Sequence, residues 1–410
     1  MKRILFVLYC LFAICSVQAQ KVRVKTGIEI LKEQNFKCLE GKRVGLVTNP
    51  SGVDNGLRSD IDILHEAPNV KLVALFGPEH GVRVDAHAGD AVKNDSDATT
   101  GLPVYSLYGK NRNPTSEMLK GIDVLVYDIQ DIGCRSYTFI STLGNIMEAA
   151  AANNIEVIVL DRPNPIGGEK VEGNITEDDC LSFVSNFKIP YLYGLTCGEL
   201  ALMLNSEHML QGQCNLKVIK MKGWKRRMTY EETGLQWVPA SPHIPQPISA
   251  TFYPVSGIIG ELDGLSIGVG YTIPFQLFAT SWAEAIGLSR NLNALHLPGV
   301  IFRPIYFTPF YAAGKGEKMQ GVQVYLTDYK KASLCEIQFY VIQEMYKLYP
   351  DHDIFNSEKA DRLNMFDKVC GSKQIRLLFC KRHSWSDVKS YWDKDANSFR
   401  ILSKKYYLYK

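Results

Sequence analysis

Four short apolar runs, each ending in a polar turn, constrain this chain more than any other feature. They are Arg43 to Thr48, Val70 to Phe76, Val124 to Tyr127 and Val157 to Leu160, all rich in Val, Ile and Leu. Runs of this kind fit strands buried on both faces, as in parallel sheets covered by helices. Helical stretches separate them: Ile61 to Glu66, Ser116 to Leu119 and Ser141 to Asn153. The alternation predicts βαβ units and an α/β fold with a doubly wound, mostly parallel sheet over roughly residues 25–220. A helix from Gly198-Glu199-Leu200 to about Leu210 closes this part, and the Pro-rich Trp237-to-Pro247 segment reads as a crossover. Beyond about Phe252, a strand pattern (Gly321 to Thr327) and a helical one (Ser333 to Tyr349) predict a second, smaller α/β domain.

The first residues stand apart from this pattern. Met1-Lys2-Arg3 is basic, Ile4 to Ile14 is almost wholly apolar, and Val17-Gln18-Ala19 offers small residues for cleavage before Gln20. This reads as a signal peptide over residues 1–19, and a bilayer span would need about 20 apolar residues. Cys15 after an apolar run raises a lipoprotein alternative, but Ile14 occupies a position where a small residue is wanted. The expected location is periplasmic or secreted. Domain boundaries are then expected at 20–225 and 226–410.

Charge narrows the partners. Forty-six Lys and Arg against 43 Asp and Glu give a formal +3, which supplies no footprint for nucleic acid. No later run is long and apolar enough to predict a membrane span. Behind the leader, eight cysteines remain (Cys38, Cys134, Cys180, Cys197, Cys214, Cys335, Cys370 and Cys380), and none forms a CxxC pair. They read as buried thiols rather than zinc ligands.

In a doubly wound sheet, ligands bind at the carboxyl ends of the strands. The four ends here are Thr48-Asn49-Pro50-Ser51-Gly52, Gly77-Pro78-Glu79-His80-Gly81, Asp128-Ile129-Gln130-Asp131 and Asp161-Arg162-Pro163-Asn164-Pro165. Their polar groups collect along one edge. Glu79-His80, held between a proline and a glycine, reads either as a general acid beside an imidazole or as a cap or structural ion pair. Asp128, Gln130 and Asp131, followed by Arg135 and Tyr137, could bind a metal, supply a base or grip hydroxyls. In the alternative, Asp131 caps the next helix and Arg135 neutralises it. The Asp161–Pro165 loop is stiffened by two prolines and either holds substrate or is a plain turn. Thr196 and Glu199 have capping-box spacing, and His243 lies in the Pro-framed Ser241-to-Pro245 loop. Gly268-Val269-Gly270 lacks the third glycine of a dinucleotide fingerprint, and no Walker A is present. Carboxylate chemistry on an uncharged polar substrate remains.

Taken in order, several motifs resemble the exo-β-N-acetylmuramidases, a family formerly catalogued as a domain of unknown function. They are Gly45-Leu46-Val47-Thr48-Asn49, Pro78-Glu79-His80-Gly81, the run from Asp128 to Thr138, Asp161 to Pro165, Gly194 to Ala201, and Trp237 to Pro242. The resemblance implies a Rossmann-like N-terminal catalytic domain, a C-terminal domain completing a cleft, and no metal or cofactor. It also implies release of N-acetylmuramic acid, or a related amino sugar, from non-reducing ends of peptidoglycan fragments. Glu79 is then the expected acid, with His80 orienting it. Asp131 or Asp128 would activate water or stabilise oxocarbenium-like charge. Asn49, Gln130, Arg135, Arg162, Asn164, Tyr193, His243 and Glu261 would hold the saccharide, with Tyr137 against the ring. The chain departs from the family pattern at Val84 (Gly in relatives), Tyr193 (His), His243 (Asn) and Val269 (Arg). That Arg would be a natural partner for the lactyl carboxylate of muramic acid. Two rival classes are a non-catalytic binder of cell-wall fragments and a metal-dependent hydrolase using Asp128, Asp131 and His80.

Overall fold

The computed structural model describes residues 23–83, 95–109, 111–357 and 359–410. The signal peptide expected at 1–19 and Val84 lie outside them. Seven strands form the first sheet: β1 (Arg43–Thr48), β2 (Lys71–Gly77), β3 (Asp95–Ser96), β4 (Pro103–Ser106), β5 (Val124–Asp128), β6 (Glu156–Leu160) and β7 (Asn215–Ile219). Their order is β3-β4-β2-β1-β5-β6-β7. Every pairing is parallel except β3 with β4. The chain winds outward in both directions from β1 and β5, so the crevice expected at a reversal of strand order opens beside their carboxyl ends.

Alternation along the strands explains the two covered faces. Val44, Leu46, Val124, Val126, Ile158 and Leu160 point to one side, where α1 (Gly27–Glu33) and α2 (Asp60–Glu66) bring Ile28, Leu31, Ile61 and Leu64. Val47, Leu125, Tyr127, Val157 and Val159 point to the other, against Leu143, Ile146 and Met147 of α3 (Phe139–Ala152) and Leu200 and Leu204 of α4 (Cys197–Ser206). The four apolar runs thus form the sheet's central strands. Ser116 to Leu119, expected as helix, lies in hydrogen-bonded turns instead, with Leu119 N donating to Thr115 O at 3.1 Å. Four residues cannot offset the cost of nucleating a helix.

The smaller domain carries an antiparallel sheet of β8 (Leu277–Thr280), β10 (Met319–Leu326) and β9 (Val300–Phe307), with β10 in the middle. Helices α5 (Pro247–Ser256), α6 (Ala285–Ala294), α7 (Glu336–Leu348) and α8 (Ala360–Cys370) surround it. Its buried Phe278, Phe339, Trp385 and Trp392 belong to the same apolar core as α3 and α4, so the domains share packing. The C-terminal tail returns to the first domain. Tyr409 donates to Asp161 at 2.6 Å, and Leu408 N donates to Glu199 at 2.8 Å. Thr196 and Glu199 form the expected capping box, and Glu199 also receives Arg226 at 2.7 and 2.8 Å. All eight cysteines are free thiols. No helix among the described residues is long and apolar enough to cross a membrane.

Arg135 joins the two halves. It is fully buried, and its guanidinium donates to the carbonyls of Asn174 (2.8 Å), Ile189 (2.7 Å) and Val369 (3.0 Å) and to Ser185 Oγ (3.1 Å). No carboxylate is among these partners, and burial pulls its pKa down to about 10. Gly371 ends α8 at φ +74°, and a Cβ there would meet Arg135 Nη2 at 2.5 Å. Both the left-handed cap and the close approach require glycine. Replacing Arg135 with Met should cost about 3 kcal/mol in denaturant unfolding, because buried carbonyls lose their donor. Arg135→Lys should recover little, since an ammonium lacks the planar fork. Full recovery by Lys would show that charge, not fork geometry, holds the domains together.

Candidate active site

A cleft of about 940 Å³ lies between the domains, over the carboxyl ends of β2 and β5. The turn after β2 places Glu79 on its wall. Gly81 N donates to Pro78 O at 2.9 Å, and His80 and Gly81 both adopt left-handed backbone, at φ +74° and +79°. For a histidine this is strained, and strain of this kind gathers at functional sites. The turn leaves Glu79 half-buried and His80 buried beside it.

Glu79 is held by hydroxyls. Thr138 Oγ1 donates to its Oε2 at 2.8 Å, and the Tyr108 hydroxyl also bonds to it. Burial and the adjacent Glu79 charge push the Tyr108 phenol up to about 12, so it remains a donor. Among the described residues, no cation lies within ion-pair distance of Glu79. The other cleft carboxylates differ: Arg362 of α8 sits 3.2 Å from Asp263 and 4.0 Å from Glu261. Burial raises the Glu261 carboxyl, with Arg362 opposing the shift.

Aromatic rings form the remaining wall. Tyr137 packs edge-on against Phe139 at 4.8 Å and Tyr253 at 6.0 Å, and Tyr253 packs against Phe275 at 4.9 Å. His243 reaches the opposite rim and stacks on Tyr311 at 6.0 Å. Five sequence-predicted residues thus meet at one cleft: Glu79, His80, Tyr137, His243 and Glu261.

The other eight are placed in the framework beneath it. Asp128 is wholly buried and paired with Arg162, whose Nη2 lies 3.0 Å from Oδ2. Burial raises the Asp128 carboxyl while Arg162 opposes the rise, and neighbouring Asp60 is pushed up by burial and by Asp128. Asp131 accepts from Tyr193 and, at 2.7 Å, from Gly133 N. Asn49 Nδ2 donates to Ala240 O at 3.1 Å, Gln130 Nε2 to Pro163 O at 2.7 Å, and Asn164 Nδ2 to Leu195 O at 3.0 Å. Arg135 is the strut described above. The expected roles of Asp128 and Asp131 at the reacting bond, and of Asn49, Gln130, Arg135, Arg162, Asn164 and Tyr193 on the sugar, are therefore not supported by position. Parallel strands end in many backbone groups that need partners, and six of these side chains satisfy some of them, while Asp128 pairs with Arg162 and Tyr193 with Asp131. The trio of Asp128, Asp131 and His80 is not assembled. Among the described residues, no group of three His, Cys, Asp or Glu side chains is arranged to hold a metal ion.

Sequence reasoning missed Tyr108, Thr138, Arg112, Tyr253, Arg362 and Lys368, all on the cleft wall. Thr138 ends the Asp128-to-Thr138 motif and was within reach of that signal. Tyr108 follows the short strand β4, and Lys368 lies on a distant helix, so neither was marked by any local pattern.

A cleft between an α/β sheet and a smaller domain, with one hydroxyl-held carboxylate facing aromatic rings, is an arrangement that suits a glycosidase. Residues 44–248 match the family model of the exo-β-N-acetylmuramidase NamZ N-terminal domain, and residues 251–409 match that of its C-terminal domain. The chain belongs to this exo-β-N-acetylmuramidase family. It is 45% identical over 391 residues to the peptidoglycan β-N-acetylmuramidase NamZ of Bacillus subtilis (strain 168), covering 95% of this chain and 92% of that protein. It is also similar to two crystal structures of DUF1343 family proteins from Bacteroides fragilis NCTC 9343. One is 69% identical with a TM-score of 0.92, covering 95% of this chain and 100% of the other. The second is 27% identical with a TM-score of 0.75, covering 94% and 99%.

Asp131 carries a pH signature. Its Oδ1 is sealed from solvent with no hydrogen-bond partner, and burial lifts the carboxyl from 3.8 to about 6. The unfolded chain releases this proton near pH 4. The stabilisation is therefore complete below about pH 4 and is lost as pH rises through about 6. Asp131→Asn should be more stable than wild type above pH 6, by up to about 3 kcal/mol. Denaturant unfolding at pH 5 and pH 8 checks this. An equal loss of stability at both would show that the carboxylate is needed ionised.

Proposed function

We propose that this protein is an exo-acting glycoside hydrolase that releases N-acetylmuramic acid from non-reducing ends of peptidoglycan fragments. The observation that carries the reading is Glu79, held on the cleft wall by Thr138 and Tyr108 among groups that can face a sugar. Glycoside cleavage needs an acid at the leaving oxygen. Hydroxyl partners fix the carboxyl in place without neutralising it as a guanidinium would. His80, directly behind Glu79 in a strained turn, is a positioning residue. Tyr137 and Tyr253 give a pyranose ring an apolar face to pack on. With Asp128 and Asp131 outside the cleft wall, opposite-face assistance falls to the substrate's own 2-acetamido group, or to a water held by Glu261. The basic and then apolar start of the chain, read as a signal peptide over residues 1–19, supports a location in the periplasm or outside the cell.

Glu79→Gln keeps the shape and removes the proton. Its kcat on a muramic-acid-terminated disaccharide should fall by roughly 10²–10⁴ with KM little changed. Retention of near-full activity would remove Glu79 from the mechanism.

Recognition of the lactyl carboxylate needs a cation, and Val269 lines the cleft where relatives carry Arg. Three cationic side chains line it among the described residues: Arg112, Arg362 and Lys368. Arg362 faces Glu261 and Asp263, and Arg112 lies over the Phe183 ring at 4.4 Å. Lys368, on the same face of α8 as Arg362 and Met365, is the cation left to meet the lactyl group. Lys368→Ala should raise KM for the muramyl disaccharide about tenfold. It should also narrow the preference over a glucosamine-terminated counterpart, which lacks that carboxylate. Unchanged discrimination would reassign the contact.

A further inference from the structure

A second cavity of about 850 Å³ adjoins the catalytic cleft, and the two share Arg112, Ser182 and Phe183. We propose that this cavity is the binding groove for the leaving part of the substrate, a neutral amino-sugar residue beyond the scissile bond. The inference rests on the glycosidase reading above and extends it along the saccharide.

Three observations support the assignment. The first is continuity with the acid. The Tyr108 hydroxyl bonds to Glu79, and its ring lies 6.3 Å from that of Phe183. Phe183 in turn carries the Arg112 guanidinium 4.4 Å from its ring centre. A path of touching groups thus runs from the proton donor to the threshold between the cavities. The leaving oxygen is the atom that Glu79 must reach, so the sugar bearing it lies on a path that begins at Glu79.

The second is the chemistry of the lining. Amides dominate it: Asn111, Asn113, Asn145, Asn186 and Gln211. Asn145 is buried and forms a fixed centre, accepting from Asn186 Nδ2 at 3.2 Å and donating to Arg112 O at 3.2 Å. Each amide offers a donor and an acceptor, which suits hydroxyl and acetamido groups. The third is charge. Glu148 accepts from Gln211 N at 2.8 Å, and Arg112 is the cavity's one Lys or Arg among the described residues. Among the described lining residues, one Glu and one Arg balance, which favours a neutral sugar over an anionic or strongly cationic ligand. The volume also falls within the range of sites that enclose small ligands.

The test uses two readouts on the full protein, with Asn111→Ala/Asn113→Ala and Asn113→Trp as variants. These asparagines line the second cavity and not the catalytic cleft. The first readout is calorimetric binding of N,N′-diacetylchitobiose, a neutral disaccharide without a muramyl group. Wild type should bind it and both variants should bind at least tenfold more weakly. The second is hydrolysis of an aryl N-acetylmuraminide, whose leaving group is not a sugar, against a muramyl-terminated tetrasaccharide. The variants should lose about tenfold in kcat/KM on the tetrasaccharide and keep their rate on the aryl glycoside, which also reports that they are folded. No chitobiose binding by wild type, or equal losses on both substrates, would overturn the groove. Failure of wild type to cleave the aryl glycoside while chitobiose still binds would instead strike the glycosidase reading and leave the groove standing.

Discussion

The cleft depends on a buried guanidinium. Arg135 immediately precedes the Ser136-Tyr137-Thr138 segment that holds Glu79 and faces Tyr253. Its other end reaches Val369 O, next to Lys368 on the opposite wall. One side chain thus sets the spacing between the acid and the helix that closes the cleft. It does so without a counter-ion, through carbonyls from three separate segments and a serine hydroxyl. A guanidinium buried in this way is costly unless every donor is used, so the surrounding backbone has little freedom to shift. Gly371 reflects the same constraint, because any side chain there would displace Arg135.

A second buried layer supports the first. Asp128 with Arg162 and Asp131 with Tyr193 are buried near the carboxyl ends of β5 and β6, and Glu199 with Arg226 is buried at the start of α4. Each pair anchors a loop leaving the sheet. The C-terminal tail joins this layer, stacking Tyr407 on Arg226 at 3.4 Å and bonding Tyr409 to Asp161. The active-site loops are therefore fixed from below, which is how a site on loops attains the precision that catalysis requires. Among the described residues Glu79 has no ion pair, and its turn is held by the β2 end and by Thr138.

Much of the fold was legible in the sequence, and the reason is periodicity. Val124 to Tyr127 and Val157 to Leu160 could only be strands covered on both faces, and the turns after them marked the functional edge. Within that edge, position along the motif was a poor guide. Glu79, Tyr137 and His243 reach the cleft, whereas Asp128 turns inward to pair with Arg162, and Arg135 and Asn164 turn inward to satisfy backbone groups. Residue type does not distinguish these outcomes, since an aspartate that anchors a loop and one that faces substrate need the same kinds of donor. Tyr108 and Lys368 were invisible for a different reason. They belong to the loop after the short strand β4 and to a C-terminal helix far away in the chain, and nothing local marks them.

By itself, the sequence determined the sheet, the two-domain plan, the edge where chemistry gathers, and Glu79 in its Pro-Glu-His-Gly turn. Hydrophobic periodicity and turn chemistry are local, so they can be read residue by residue. Only the tertiary structure decided which polar groups face the cleft, which cations from α8 oppose Glu79, and that a second amide-lined cavity continues from it. These are questions of which partner reaches a group first, and the packing of distant segments answers them.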